Sequence, residues 1–305
     1  MAGLCEGRVA IVTGAGRGIG RAHALMLAEE GAAVVVNDLG AQSDGSGADP
    51  GPANEVVAEI RANGGSAIVN GSDVTDFAEA AAMVDQAVEE FGRLDILVNN
   101  AGILRDKMIF SMEESDWDDV LGVHLKGHFC PTRHAAAYWR AQSKAGEEVD
   151  ARIINTASPS GLYGNIGQAN YGAAKAGIAS FTLVCALELG RLGVTANCLA
   201  PTAITRLVTP LMGGDENVSD EVRERLSPRW VASVATWLAS PAARHVTGRV
   251  FDVRGDTIAV AEGWHRGPEG TNPGEPMGAG EVIEHLLSEA RANGDLDGRD
   301  APDRF

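Results

Sequence analysis

Residues 8–13, Arg-Val-Ala-Ile-Val-Thr, make a short β-branched run with no helical period. They lead directly into Gly14-Ala15-Gly16-Arg17-Gly18-Ile19-Gly20, and then into a helix-like stretch ending near Glu30. A buried strand, a glycine-rich turn and a helix start in that order form the opening βα unit of a dinucleotide-binding sheet. Glycines there allow close backbone approach to a pyrophosphate, and the helix N-terminus supplies unpaired N–H donors with partial positive charge. A second strand, 33–38, ends in Asp38, whose carboxylate can accept both ribose hydroxyls of an adenosine and repel a 2′-phosphate. Arg17 points the other way, since a guanidinium in the turn could reach such a phosphate. Asp38 would then sit beside that phosphate at high electrostatic cost. The acid therefore decides: the sequence predicts NAD, with Arg17 paired to a carboxylate or facing solvent.

The remaining chain keeps the rhythm of strand and helix that predicts a parallel sheet covered on both faces. Strands are expected at 9–13, 33–38, 67–70, 96–99, 152–156, 195–200 and 250–253. Helices are expected near 19–30, 53–63, 76–91, 115–143, 170–190 and 228–239. The expected fold is thus α/β, a doubly wound Rossmann sheet of about seven strands, spanning residues 1–264, with a C-terminal extension at 265–305. Such a sheet binds its ligands at the carboxyl ends of its strands. Three segments break the rhythm. Residues 40–53 read as an exposed loop, and 202–226 as a lid at the mouth of the site. The tail from Trp264 has Pro268, Pro273 and Pro276 barring a helix at its start. Val282, Ile283, Leu286 and Leu287 then fall at helical spacing within 280–293, followed by a polar end expected to fray. A structural arm is the reading for the tail; covering the active site or a partner subunit is the alternative.

Tyr171 and Lys175 lie one helical turn apart in Gln168-Ala169-Asn170-Tyr171-Gly172-Ala173-Ala174-Lys175, which puts both side chains on one face. An adjacent ammonium favours phenolate over phenol, and would bring the tyrosine toward neutral titration for carbonyl/alcohol chemistry. Ser158 follows the apolar run Ile153-Ile154-Asn155-Thr156-Ala157, where its hydroxyl could hold a substrate oxygen against the phenol.

Taken together, Thr13-Gly14 with Gly18 and Gly20, Asn99-Asn100-Ala101-Gly102, Ser158 and the Tyr171/Lys175 pair resemble the short-chain dehydrogenase/reductase family over roughly residues 6–264. Val36-Asn37-Asp38-Leu39-Gly40, Asn100-Ala101-Gly102-Ile103-Leu104-Arg105-Asp106, Val123-His124-Leu125-Lys126-Gly127 and Gly161-Leu162-Tyr163-Gly164-Asn165 are similar to its 3-hydroxyacyl-CoA dehydrogenase branch, the dehydrogenase domain of peroxisomal multifunctional enzymes of type 2. The resemblance implies Tyr171 as acid/base, Lys175 lowering its pKa and binding the nicotinamide ribose, and Ser158 orienting the substrate oxygen. It places the cofactor against Gly14, Arg17, Gly18, Ile19, Gly20, Asp38, Asp73, Val74, Asn100, Ala101, Gly102, Tyr171, Lys175 and the backbone of Ile204, with Asn99 bracing its loop. It implies a 3-hydroxyacyl-CoA substrate; a 17β-hydroxysteroid or a 3-oxoacyl thioester of a carrier protein is the alternative. A homodimer or homotetramer is implied too, to which Ile178, Phe181, Val184 and Leu187 could contribute. Two positions depart from the family pattern. His124 stands where many members have asparagine, and Pro201-Thr202 replaces a Pro-Gly.

A net charge of −17 opposes binding to nucleic acid and to anionic membranes. It also repels an anionic CoA ester at long range, so local cations must do the binding, with Arg105, Lys107, Lys126 and Arg206 as candidates. No run approaches ~18 uninterrupted apolar residues, no secretory signal pattern opens the chain, and Cys5, Cys130, Cys185 and Cys198 are scattered. A reducing cytoplasm is therefore expected, as is the absence of a metal, because the histidines show no ligand spacing. Trp139, Trp230 and Trp237 read as core or interface aromatics.

Overall fold

The computed structural model describes residues 3–47, 49–206, 209, 213–214, 217–272, 274, 276–296 and 298–300. Met212, Pro273 and the final residues 301–305 lie outside these, so the lid and tail readings are followed only in part.

Seven strands, β1 (Val9–Thr13), β2 (Ala33–Asn37), β3 (Ala67–Asn70), β4 (Ile96–Asn99), β5 (Ala151–Thr156), β6 (Val194–Thr202) and β7 (Val250–Arg254), pair in parallel in the order 3-2-1-4-5-6-7. Each begins and ends within two residues of its expected position. An eighth, β8 (Thr257–Ala261), pairs antiparallel with β7 across the two-residue turn Gly255-Asp256, and Gly255 takes a φ of +57°.

The strands are apolar on both sides because both sides are covered. Ala10, Val12, Val34, Val36, Ile96, Val98 and Ile154 pack under α1 (Gly18–Glu29), α2 (Gly51–Ala62) and, numbered in chain order, α9 (Pro228–Ala239). The alternate residues Val9, Ile11, Val35, Leu97 and Ile153 pack under α3 (Phe77–Phe91), α5 (Gly127–Lys144) and α7 (Ala169–Leu189). Helix α7 and its 3₁₀ extension are long and apolar enough to cross a membrane. Here α7 buries Ala174, Ile178, Cys185 and Ala186 against the sheet. Ile178 is thereby a core residue and Phe181 packs half-buried against the core, whereas Val184 and Leu187 face outward.

The long helix expected over 115–143 is interrupted. Helix α4 (Glu114–Leu121) passes through one π-helical turn, Gly122–Lys126, before α5 begins. Neither proline nor a capping side chain marks that boundary in the sequence. Two short helices also escape periodicity, being too short to show it: α6 (Pro159–Tyr163) and α8 (Asp220–Arg225). In the tail, α10 (Pro276–Glu289) starts at the proline expected to bar it. Proline has no N–H to lose in the first turn, so it opens a helix as readily as it stops one. Val282 and Leu286 meet Gly270, while Ile283 and Leu287 remain exposed. Trp139 is core, its indole N–H donating to the Leu94 carbonyl at 2.7 Å. Trp230 and Trp237 are surface residues.

Candidate active site

A cavity of about 780 Å³ opens along the carboxyl ends of the strands, within the usual size range of ligand pockets. At one end lie Arg17, Asp38 and Gln42; at the other, Ser158, Tyr171 and Lys175. Gly14, Gly18, Ile19, Asp73, Val74, Asn100, Ala101 and Gly102 line it between them. The topology brings almost all the sequence-predicted residues onto one surface.

At the catalytic end, Ser158 caps α6 in an extended conformation, and its hydroxyl accepts the Ser160 N–H at 3.2 Å. That fixes the serine on the cavity wall it shares with Tyr171, close enough to pull the phenol's pKa down. Asn170, fully buried just before Tyr171, sets the start of α7. Its side-chain amide donates to the carbonyls of Arg105 (3.1 Å) and Asp116 (2.9 Å), and its side-chain oxygen accepts the Tyr171 N–H at 2.7 Å. Lys175 is buried, donates to the Thr156 carbonyl at 2.6 Å, and sits 5.4 Å from the centre of the Tyr171 ring. His124, also buried, meets the same ring edge-on, with centroids 5.1 Å apart and planes at 86°.

The electrostatics differ from the simple pairing that the spacing suggests. Burial pushes the Tyr171 phenol up to about 12; Ser158 pulls it down and Asp106 adds a further upward push. Burial likewise pushes Lys175 down to about 7. Desolvation disfavours either charge, so the resting pair is held near neutrality, and the lysine alone does not make a phenolate.

Residues 8–213 match the family described as short chain dehydrogenase. The chain belongs to the short-chain dehydrogenase/reductase family. It is an oxidoreductase acting on CH–OH groups and depends on a nicotinamide cofactor, NAD or NADP. It is 46% identical over 266 residues to hydroxyacyl-CoA dehydrogenase ChsB1 of Mycobacterium tuberculosis, covering 85% of this chain and 81% of that protein. It is 41% identical over 262 residues to peroxisomal multifunctional enzyme type 2 of Mus musculus, covering 86% of this chain but 33% of the relative. A crystal structure of a short chain dehydrogenase from Mycobacterium avium matches with a TM-score of 0.85 and 52% identity, over 96% of this chain and 99% of that one.

The dinucleotide end of this dehydrogenase fits a nicotinamide cofactor. Arg17 caps α1 without a side-chain bond, which leaves the first-turn amides of the helix for an anion. The Asp38 carboxylate is oriented by two backbone donors, the N–H of Gly16 on Oδ2 and of Gly40 on Oδ1, both at 2.7 Å. The glycines, however, serve the protein as much as any ligand. A Cβ at Gly20 would overlap the Gly14 carbonyl, and one at Gly14, whose φ is +63°, would lie 2.8 Å from the Ala101 Cα. Gly20 accordingly packs behind the cavity wall.

Several predicted roles move. Asn100, expected beside the ribose, also braces the turn, donating to the carbonyls of Thr13 (3.0 Å) and Gly14 (3.2 Å). Asn99, expected to brace a loop, instead donates to Thr132 Oγ1 and Asn155 Oδ1, both at 2.9 Å. Ile204 does not line the cavity. Its N–H is committed to the Leu226 carbonyl at 2.8 Å, and the neighbouring Thr202, Ala203 and Thr205 form that wall. Arg17 approaches Asp49 at 3.9 Å. Arg105 and Lys107 are paired with Asp119 (3.0 Å) and Asp116 (2.6 Å), and Lys126 lies outside the cavity. Among the four proposed cations only Arg206 reaches the wall, where it is joined by Arg254.

The loop after Asp38 is no idle insertion: Leu39, Ala41, Gln42 and Gly45 line the cavity. It is tied down by Leu104 N–H to Ser43 O (3.1 Å), Arg105 Nε to Asp44 O (3.1 Å) and Arg206 Nη2 to Ala41 O (2.9 Å). Leu296 of the tail also lines the cavity, and Gly294 and Gly298 sit against Tyr163. Asn165 and Gln168 complete the substrate side, with the Gln168 amide donating to Asp106 Oδ2 at 2.8 Å. Periodicity carries no signal for such residues, since single polar side chains in loops look alike. Among the described residues no group of three metal-capable side chains comes together, and all four cysteines are free and buried.

Proposed function

We propose that this dehydrogenase oxidises a 3-hydroxyacyl-CoA with NAD, in the cytoplasm and as a homo-oligomer. The observation that carries the reading is the convergence of Ser158, Tyr171 and buried Lys175 in one cavity with Asp38. When bound, the oxidised nicotinamide would supply a positive ring and accept the carbinol hydride. Ser158 holds the substrate oxygen in line, and Tyr171 takes its hydroxyl proton as general base. Positive charge arriving beside a desolvated phenol opposes the upward push of burial. Lys175, anchored on the Thr156 carbonyl, lies over the Tyr171 ring, 5.4 Å from its centre, where its charge favours the phenolate. In the reverse direction Tyr171 returns the proton.

Asp38 supports NAD over NADP, because a 2′-phosphate would face a carboxylate already fixed by two amides. The thioester is supported by the hydroxyacyl-CoA name of the 46%-identical relative. Arg206 and Arg254 on the cavity wall provide cations for an anionic ester, and Leu296 provides an apolar surface. The test is absorbance at 340 nm with NAD and a panel of 3-hydroxyacyl-CoAs and 17β-hydroxysteroids. Turnover of the thioesters is expected; turnover of steroids alone would overturn the substrate while leaving the chemistry.

A further inference from the structure

His124 lines the same cavity as Ser158, Tyr171 and Lys175, is 2% exposed, and has no part in the proton transfer described above. It lies at the centre of the π-helical turn Gly122–Lys126, a geometry often found where a helix serves a site. Its Nε2 lies 2.8 Å from the Ile103 carbonyl oxygen and 3.2 Å from the Ile103 backbone nitrogen, so one residue's backbone holds that corner of the ring. Gly102 is pressed so closely on the ring that a Cβ would run into it. With Ile103, Gly102 and the π turn holding three sides, the fourth side of the imidazole is the Tyr171 ring, met edge-on at 5.1 Å.

Resting on the reading of Tyr171 as the acid/base, we propose that His124 is a positioning residue. It fixes the phenol for proton transfer through the edge-to-face contact, and it keeps water from the hidden side of the ring. Aromatic edge-to-face pairs have a preferred geometry that a smaller polar side chain does not reproduce. The groups acting on Tyr171 are Ser158, which pulls its pKa down, Lys175 over the ring, and Asp106 by its charge. None of them stands where His124 does. His128, one turn further along α5, accepts the Thr156 N–H at 3.3 Å and so steadies the carbonyl that anchors Lys175. Burial and the nearby Lys175 push both imidazoles well below the ordinary histidine range. His124 therefore acts as a neutral ring, not as a proton carrier.

The consequence separates positioning from simple stability. Replacing the ring by asparagine frees space for water beside the phenol, so the tyrosine becomes easier to ionise while losing its fixed orientation. The full chain is compared with His124→Asn and His124→Phe by kcat, KM, the pH dependence of kcat and NAD binding from tryptophan fluorescence. For His124→Asn the expected result is kcat down 10- to 100-fold, NAD affinity within twofold, and the pH midpoint moved to lower pH. His124→Phe keeps an aromatic edge on Tyr171 and should recover at least part of kcat, with a midpoint nearer the parent. If His124→Asn fails to fold, the Phe variant carries the comparison alone. The proposal is overturned if His124→Asn keeps kcat within threefold with an unmoved midpoint, or if activity and NAD binding fall together. A second readout needs no turnover: phenolate absorbance at 295 nm, taken as the difference between each chain and its Tyr171→Phe form. Ionisation at lower pH in His124→Asn supports the contact even if no substrate is found. An unchanged titration refutes it.

Discussion

Lys175→Met should cost the enzyme its activity and yet relieve the fold. The lysine is 2% exposed, and burial lowers its pKa from 10.5 to about 7. A base with a depressed folded pKa binds its proton more weakly in the native state. The unfolded chain therefore takes up the proton first, and stability rises with pH between the two values. At pH 7 the penalty is roughly 3–5 kcal/mol. Raising the pH from 7.0 to 8.5 should recover between about 1 and 2 kcal/mol of it. The thiols raised by burial, Cys5 and Cys198 to about 11 and Cys185 to about 12, oppose the trend as pH approaches their ordinary value of 9.0, but equally in both proteins, so the difference between the two slopes is unaffected. Methionine fills similar volume without a charge. It loses the 2.6 Å bond to the Thr156 carbonyl, worth about 1–3 kcal/mol if that carbonyl is left unpaired. The assay is urea unfolding of both proteins at pH 7.0 and 8.5, with turnover measured on the same samples. The native lysine should show the pH gain and Lys175→Met should not, with the variant at least as stable at pH 7. Equal pH slopes in the two proteins would refute the reasoning, as would a methionine variant destabilised at pH 7.

Three further outcomes follow from the same geometry. His23 is fully buried with both ring nitrogens unpartnered and its pKa lowered to about 4. It should remove roughly 3 kcal/mol of stability as pH falls from 6.5 to 4, and His23→Leu should shift acid unfolding to lower pH. Gly20→Ala would drive a methyl into the Gly14 carbonyl and to within 2.6 Å of Asn100 Nδ2; about 1–3 kcal/mol of stability and most NAD affinity should go, read by urea unfolding and by titration. Asp38→Asn would set an amide donor against the N–H of Gly16 or Gly40. NAD binding should weaken about tenfold, as expected from one unsatisfied donor at about 1–3 kcal/mol, with a smaller loss for NADP by calorimetry.

Much of this was legible because parallel strands buried on both faces are written as continuous apolar runs, as in Val9–Thr13 and Ile96–Asn99. Strand β8 was not, since Ile258 and Val260 are exposed and its only marker is the Gly255-Asp256 turn. Most of the residues lining the cavity were readable from fixed spacings around Gly14–Ile19 and Tyr171–Lys175, whereas Gly20 and Ile204 fall outside its wall. Its second layer was not. Asn170, Gln168 and the loop at 40–47 act through bonds to residues 54 to 165 positions away in the chain, and no local pattern records such pairings. The charge state was misread for a related reason. Spacing shows that Lys175 and Tyr171 are neighbours, but only the fold shows that both are desolvated, and desolvation outweighs their proximity.

In the proposed reaction Tyr171 moves the proton while the rest of the cavity holds the cofactor. Calorimetric titration of NAD and 340 nm turnover of a 3-hydroxyacyl-CoA, run on the same preparations of the parent chain and Tyr171→Phe, test it most directly. The account predicts NAD affinity within about twofold and loss of turnover by at least about a thousandfold, the scale of general acid–base catalysis. Turnover surviving in Tyr171→Phe would contradict it.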